Sequence, residues 1–136
     1  MTTSCSSSAF KKGLEFGVPS LARSNKSTEY KDEEDKTNPE ELVAAAHSSC
    51  FTMTLAGVLS AHNISAKEID TKGTLTLSKN PTGFSVSSIH LNCSGKIPNL
   101  DEKKFKEYAE IAKKNCPMSK LFKDNCEITL STNLIK

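Results

Sequence analysis

Thr37-Asn38-Pro39-Glu40-Glu41-Leu42-Val43-Ala44-Ala45-Ala46-His47-Ser48-Ser49-Cys50-Phe51 is the stretch whose reading decides the fold. Asn38 can cap a helix, and Pro39 suits the first helical position because the N–H it lacks would be unpaired there. Glu40 and Glu41 then face the positive end of the helix dipole. The spacing predicts a helix that runs to about His62-Asn63, where Asn63 tolerates the conformation that ends it. At roughly 100° per residue, Leu42, Ala46, Cys50, Met53 and Gly57 share one stripe, and Phe51, Leu55 and Val58 lie opposite. A helix apolar on two faces has to be covered on both, by a sheet on one side and by another helix or another subunit on the other.

Val43 to Ala61 carries no Asp, Glu, Lys or Arg, a length that approaches a membrane span. His47, Ser48, Ser49, Thr52, Thr54, Gly57 and Ser60 make it too polar for a lone span, so the expectation is a core helix and no membrane partner.

Outward from this helix the pattern changes period. Glu68 to Ser78 alternates, with Ile69, Gly73, Leu75 and Leu77 on one side and Lys72, Thr74, Thr76 and Ser78 on the other, which reads as a strand. Asn80-Pro81-Thr82-Gly83 is a turn, and Phe84 to Cys93 returns with Ile89, Leu91 and Cys93 on one face to give a hairpin. From Asp101, the residues Phe105, Tyr108, Ala109 and Ala112 form a helical stripe that Cys116 extends inward. Pro117 breaks that helix, and a short one follows to about Lys123. Cys126, Ile128 and Leu130 then alternate with Glu127, Thr129 and Ser131 in a last strand. On the N-terminal side, Phe10 to Lys36 reads as a short strand and a solvated, charged loop, and residues 1–9 as a loose tail. The order is β, long α, β, β, α, short α, β.

The 136 residues fit one domain spanning 1–136. Eighteen basic and sixteen acidic side chains are interspersed, so no nucleic-acid surface is implied. Five irregularly spaced cysteines argue against a secreted disulfide framework and for reactive or free thiols in a reducing, cytoplasmic compartment. The N-terminus lacks the basic and apolar regions of a signal peptide.

Two cysteines stand in distinctive settings, Cys50 within the long helix and Cys116 in Cys116-Pro117-Met118-Ser119-Lys120. Neither has a CxxC neighbour, so only the fold can make them one reactive unit. Cys116 opens the short helix and would feel its positive end. Cys50 needs an outside cation or hydrogen-bond donor, and Arg23 is the only arginine in the chain.

Thr37-Asn38-Pro39-Glu40-Glu41-Leu42, Ala44-Ala45-Ala46-His47, Cys50-Phe51 and Cys116-Pro117-Met118-Ser119-Lys120 together resemble the OsmC/Ohr family of thiol peroxidases, on its OsmC side. The resemblance runs from Thr37 to the C-terminus. It implies an α+β fold, with antiparallel sheets packed on a long central helix and two chains intertwined as a homodimer with active sites at the interface. It implies that Cys50 attacks a hydroperoxide and becomes a sulfenic acid, that Cys116 condenses with it, and that an external dithiol, possibly lipoyl-type, reduces the disulfide without a bound cofactor. The family's carboxylate falls on Glu40 and its arginine on Arg23, although the family's spacing reaches Tyr30 instead. Glu40 and Cys50 stand ten positions apart on one helix, a rise of about 15 Å, so Glu40 would serve a site that a second copy completes. Two other readings stay open: a redox-responsive or binding protein of the same fold without turnover, and a metal site built from His47, Cys50 and Cys116.

Overall fold

The computed structural model describes residues 2–10, 16–17 and 39–135. Its elements are β1 (Thr2–Phe10), β2 (Phe16–Gly17), α1 (Pro39–Ala61), β3 (Glu68–Asn80), β4 (Gly83–Lys96), α2 (Glu102–Asn115), α3 (Pro117–Phe122) and β5 (Glu127–Ile135). The strands make one sheet in the order β2-β1-β3-β4-β5.

Two expectations are corrected here. The hydroxyl-rich stretch read as a loose tail is β1, paired antiparallel with β3 from Thr2 opposite Thr76 to Phe10 opposite Glu68. Its serines and threonines lack an apolar alternation, so the ladder comes from main-chain pairing on the free edge of β3. The sheet is also not wholly antiparallel. β5 pairs parallel with β4, from Ser88 opposite Glu127 to Lys96 opposite Ile135. The connection between them is the α2–α3 crossover, and a strand that returns through helices comes back in the same direction.

α1 begins and ends where its sequence predicts. At its C-terminus Asn63 takes φ 57°, the Asn63 N–H donates to the Ser60 carbonyl and the Ile64 N–H to the Leu59 carbonyl. This Schellman arrangement satisfies carbonyls that the helix leaves open. α1 lays Ala44, Ser48, Phe51, Thr52, Leu55 and Leu59, all buried, against the sheet. The facing sheet residues include Ile69, Leu75, Leu77, Ile89, Leu91 and Cys93, the buried alternate positions of β3 and β4. Each large side chain buried in this layer contributes about 1.5–3 kcal/mol relative to exposure. Gly73 lets the helix approach, since a Cβ there would meet the Ala44 carbonyl oxygen at 2.8 Å. Among the buried helix residues, the Thr52 hydroxyl donates to the Ser48 carbonyl at 2.8 Å and lies 2.7 Å from the Thr71 hydroxyl on β3.

Among the described residues, nothing covers the opposite stripe of α1. Leu42 is 47% and Met53 44% exposed, and Ala46 and Gly57 are exposed as well. The double covering expected from sequence is therefore half made: α2 and α3 flank the helix, but the Leu42–Met53 face stays open. Although Pro39–Ala61 has the length and composition of a membrane span, nine of its residues are buried within the fold.

The β3–β4 hairpin turns at Asn80, whose side-chain Oδ1 accepts the Thr82 N–H and hydroxyl, and at Gly83, whose φ of 126° suits only glycine. Asp101 caps α2 by accepting the Lys104 N–H at 2.7 Å. Phe105, Ala109 and Ala112 then face the core, as their spacing predicts.

Candidate functional site

Proline chemistry positions Cys116. A residue before proline is driven out of the helical region, and Cys116 sits at φ −60°, ψ 122° as the last cap of α2 and the first of α3. Its own N–H still donates to the Ala112 carbonyl at 2.8 Å, and its carbonyl accepts the Lys120 N–H at 3.0 Å. The kink turns the thiol into the core, where Cys116 is fully buried. Facing it from the middle of α1 is Cys50, half-buried at the border between the packed and open faces of that helix. The two thiols lie within hydrogen-bonding reach of one another. The fold thus unites the two cysteine blocks that the sequence left far apart.

The direction of the Cys116 pKa departs from the expectation drawn from its helix-start position. Burial pushes the thiol up, and its interaction with Cys50 pushes in the same direction, because a thiol that donates to a neighbouring sulfur keeps its proton. The Ser119 main-chain N–H and hydroxyl act the other way but do not outweigh burial. Cys116 is held protonated beside Cys50, a donor aimed at the more accessible sulfur.

His47 stands one turn before Cys50 and is fully buried. Its Nε2 lies 2.7 Å from the Ser119 hydroxyl on α3, and its ring packs at 5.6 Å between centroids on Phe122. Burial lowers its pKa to about 4, so the ring is neutral at physiological pH. The metal reading loses its geometry here. Among the described residues no three His, Cys, Asp or Glu side chains gather as a donor set, and His47 spends its Nε2 on Ser119. Ser119 was not singled out from sequence. Its place three residues after Cys116, in the first turn of α3, was the available signal, since that spacing returns a side chain toward the cap.

Glu40 is buried, 8% exposed, with Oε2 lacking a hydrogen-bond partner among the described residues. One unbroken helix carries both Glu40 and Cys50, so the fold does not bring this carboxylate to the thiol of its own chain. Arg23 and Tyr30 lie outside the described residues. Cys93 and Cys126 are set apart from the pair. Cys93 on β4 is buried and its thiol pushed up to about 12, chiefly by burial. Cys126 is raised by burial as well, and its thiol lies 3.6 Å from the Phe122 carbonyl.

A helix-and-sheet fold that sets one half-open thiol against one buried thiol defines an α+β protein with a paired-cysteine site. The family model for OsmC-like proteins matches residues 31–131, and the chain belongs to that family. Peroxiredoxin OsmC of Escherichia coli K12 is 38% identical over 101 residues, which cover 74% of this chain and 69% of that protein. The organic hydroperoxide resistance protein OhrB of Bacillus subtilis superposes with a TM-score of 0.64 at 30% identity, over 72% of this chain and 71% of that one. An organic hydroperoxide resistance protein OsmC from Legionella pneumophila does so with a TM-score of 0.65 at 26% identity, over 72% and 70%. Peroxidase-type function is therefore present in the family.

Proposed function

We propose that this protein is a thiol-dependent peroxidase that reduces hydroperoxides, organic ones first and hydrogen peroxide second, through Cys50 and Cys116. The observation that carries the reading is the half-open Cys50 in contact with the buried, protonated Cys116. In the first step the Cys50 thiolate attacks the terminal peroxide oxygen. The O–O bond breaks, Cys50 becomes a sulfenic acid, and the departing alkoxide takes a proton to leave as alcohol. In the second step the Cys116 sulfur attacks the Cys50 sulfur. An S–S bond forms, the S–O bond breaks, and the hydroxyl leaves as water with the proton from Cys116. An external dithiol of the lipoyl type then restores both thiols by exchange. No cofactor is needed for any of these steps.

Glu40 and Arg23 complete the proposed site from the family's pattern. The geometry of α1 favours a Glu40 that acts across a homodimer, since about 15 Å of helix separates it from its own Cys50. The open Leu42–Met53 face, which runs past Cys50, is the surface a second copy would cover. A cytoplasmic, reducing setting suits a chain in which Cys50, Cys93, Cys116 and Cys126 are all free.

The test is consumption of cumene hydroperoxide and hydrogen peroxide by purified protein with dihydrolipoamide, compared with Cys50→Ser and Cys116→Ser. Dithiol-dependent turnover that both substitutions abolish is the expected result. Formation of the Cys50–Cys116 disulfide without turnover would leave a redox-responsive member of the fold.

A further inference from the structure

The buried His47–Ser119 pair has no part in the steps above, yet it touches the thiol that must become a nucleophile. Ser119 is 4% exposed and His47 not at all, and a 2.7 Å contact joins helices that are 72 positions apart in sequence. The direction of this hydrogen bond follows from the other ring nitrogen. Nδ1 of His47 is buried with no partner among the described residues. A buried N–H without an acceptor is rarer than a buried acceptor without a donor, which puts the proton on Nε2 and makes it the donor to Ser119 Oγ. The Ser119 hydroxyl is then left with its own hydrogen to give, and Cys116, which caps the first turn of α3 in which the buried Ser119 stands, is the buried neighbour beside it.

We propose that Ser119, its hydroxyl oriented by the buried His47, donates a hydrogen bond to the Cys116 thiolate as that sulfur attacks the oxidised Cys50. Ser119 touches a reacting atom and is the catalytic member; His47 acts through it and is a positioning residue. The inference builds on the peroxidase reading. Before oxidation Cys116 gives its proton to the contact with Cys50 and stays a thiol. Once Cys50 is a sulfenic acid, that sulfur no longer accepts the hydrogen bond that held the Cys116 proton, and the Ser119 donor decides how readily Cys116 ionises. The atoms balance without a further reactant: the Cys116 proton joins the hydroxyl leaving Cys50 as water, and neither Ser119 nor His47 gains or loses a proton overall.

The titratable group facing Cys116 is Cys50 on α1, with His47 of the same helix reaching it through Ser119. Lys113 and Lys114 of α2, Lys120 of α3, Lys123 just after it and Glu127 of β5 line a shallow cavity that Ser119 also borders. Their charges are exposed to solvent ions, so the experiment is run at high salt, where they are screened.

The chain has no tryptophan, so the two oxidation steps are followed in full-length protein by quench flow and mass analysis of alkylated thiols. One equivalent of cumene hydroperoxide is added, and the Cys50 sulfenic acid and the Cys50–Cys116 disulfide are timed separately across pH. Ser119→Ala should slow disulfide formation about ten- to hundredfold at neutral pH, well beyond any change in Cys50 oxidation, and move its pH midpoint upward, as loss of a hydrogen bond to a charged group would. His47→Leu should do the same. His47→Gln, whose side-chain amide N–H stands in for Nε2–H, should recover most of the rate, an outcome that a packing role for His47 would not give. A Ser119→Ala protein with the wild-type disulfide rate and midpoint overturns the inference and leaves the peroxidase reading intact. Wild-type protein whose Cys50 is never oxidised overturns that reading first and the inference with it.

Discussion

Cys93 in the sheet layer and Cys116 at the helix junction are both fully buried and both free, yet they have opposite surroundings. Around Cys93 the neighbours are the inward residues of β3 and β4, with Thr71 as its hydrogen-bond partner, and the thiol is pushed up to about 12. Around Cys116 stand a second thiol, a hydroxyl and a main-chain N–H from α3. Burial does not distinguish a structural cysteine from a reactive one. What sets Cys116 apart from Cys93 is a second thiol beside it.

The most severe way to test this contrast is to remove the accessible partner. Cys50→Ser should lower peroxide turnover at least about a thousandfold, because a hydroxyl cannot replace the thiolate that takes the peroxide oxygen, whereas Cys93→Ala should leave turnover within about twofold. Equal losses in a peroxide assay would erase the distinction between the regions.

Acid should weaken the helix junction before the sheet layer. The folded-state pKa of His47 lies below its ordinary value of 6.5, at about 4, so the unfolded chain takes up the proton first as pH falls. Its contribution is complete above about pH 6.5 and is lost progressively toward pH 4 and below, up to about 3 kcal/mol in all. Urea unfolding between pH 4 and 7 should show this slope, and His47→Gln should flatten it. An unchanged slope in that variant would place the proton uptake elsewhere.

In the sheet layer the sensitive position is Gly73. A methyl group there meets the Ala44 carbonyl oxygen at 2.8 Å, and backbone cannot swing aside as a side chain can. Gly73→Ala should therefore cost about 2 kcal/mol in chemical denaturation, and Gly57→Ala, where a Cβ meets nothing within 4 Å, should not destabilise. Smallest in effect is Cys93→Ala, expected to cost about 1 kcal/mol through the space it leaves in the core. Alkylation of the native protein near neutral pH followed by mass analysis should label Cys50 and spare Cys93. Rapid labelling of Cys93 would show that its layer opens.

Much of this architecture was readable from local pattern. Pro39-Glu40-Glu41 and Asn63 bracket α1, the alternation of Ile69 to Leu77 and Ile89 to Cys93 gives the hairpin, and Pro117 divides α2 from α3. These signals are legible because caps, turns and hydrophobic period act over a few residues. β1 was misread since its strand character comes from a ladder with β3 and not from its own side chains, and the parallel β4–β5 pair follows from where the crossover lands. For the site, residue types and motif resemblance singled out Cys50, Cys116 and Glu40, but Ser119 stayed unremarked inside its own motif.

The sequence by itself determined the helices, the hairpin and the two cysteine blocks, because each depends on neighbours along the chain. Only the tertiary structure decided that Cys50 meets Cys116, that His47 turns to Ser119 across 72 positions, and that one face of α1 is packed while the other is left open. Those outcomes depend on how a helix seats against a sheet, where Gly73 permits close approach and Pro117 turns a thiol inward. Burial and hydrogen-bond partners, and with them the proton affinity of each thiol, are properties of that assembled environment and of no segment alone.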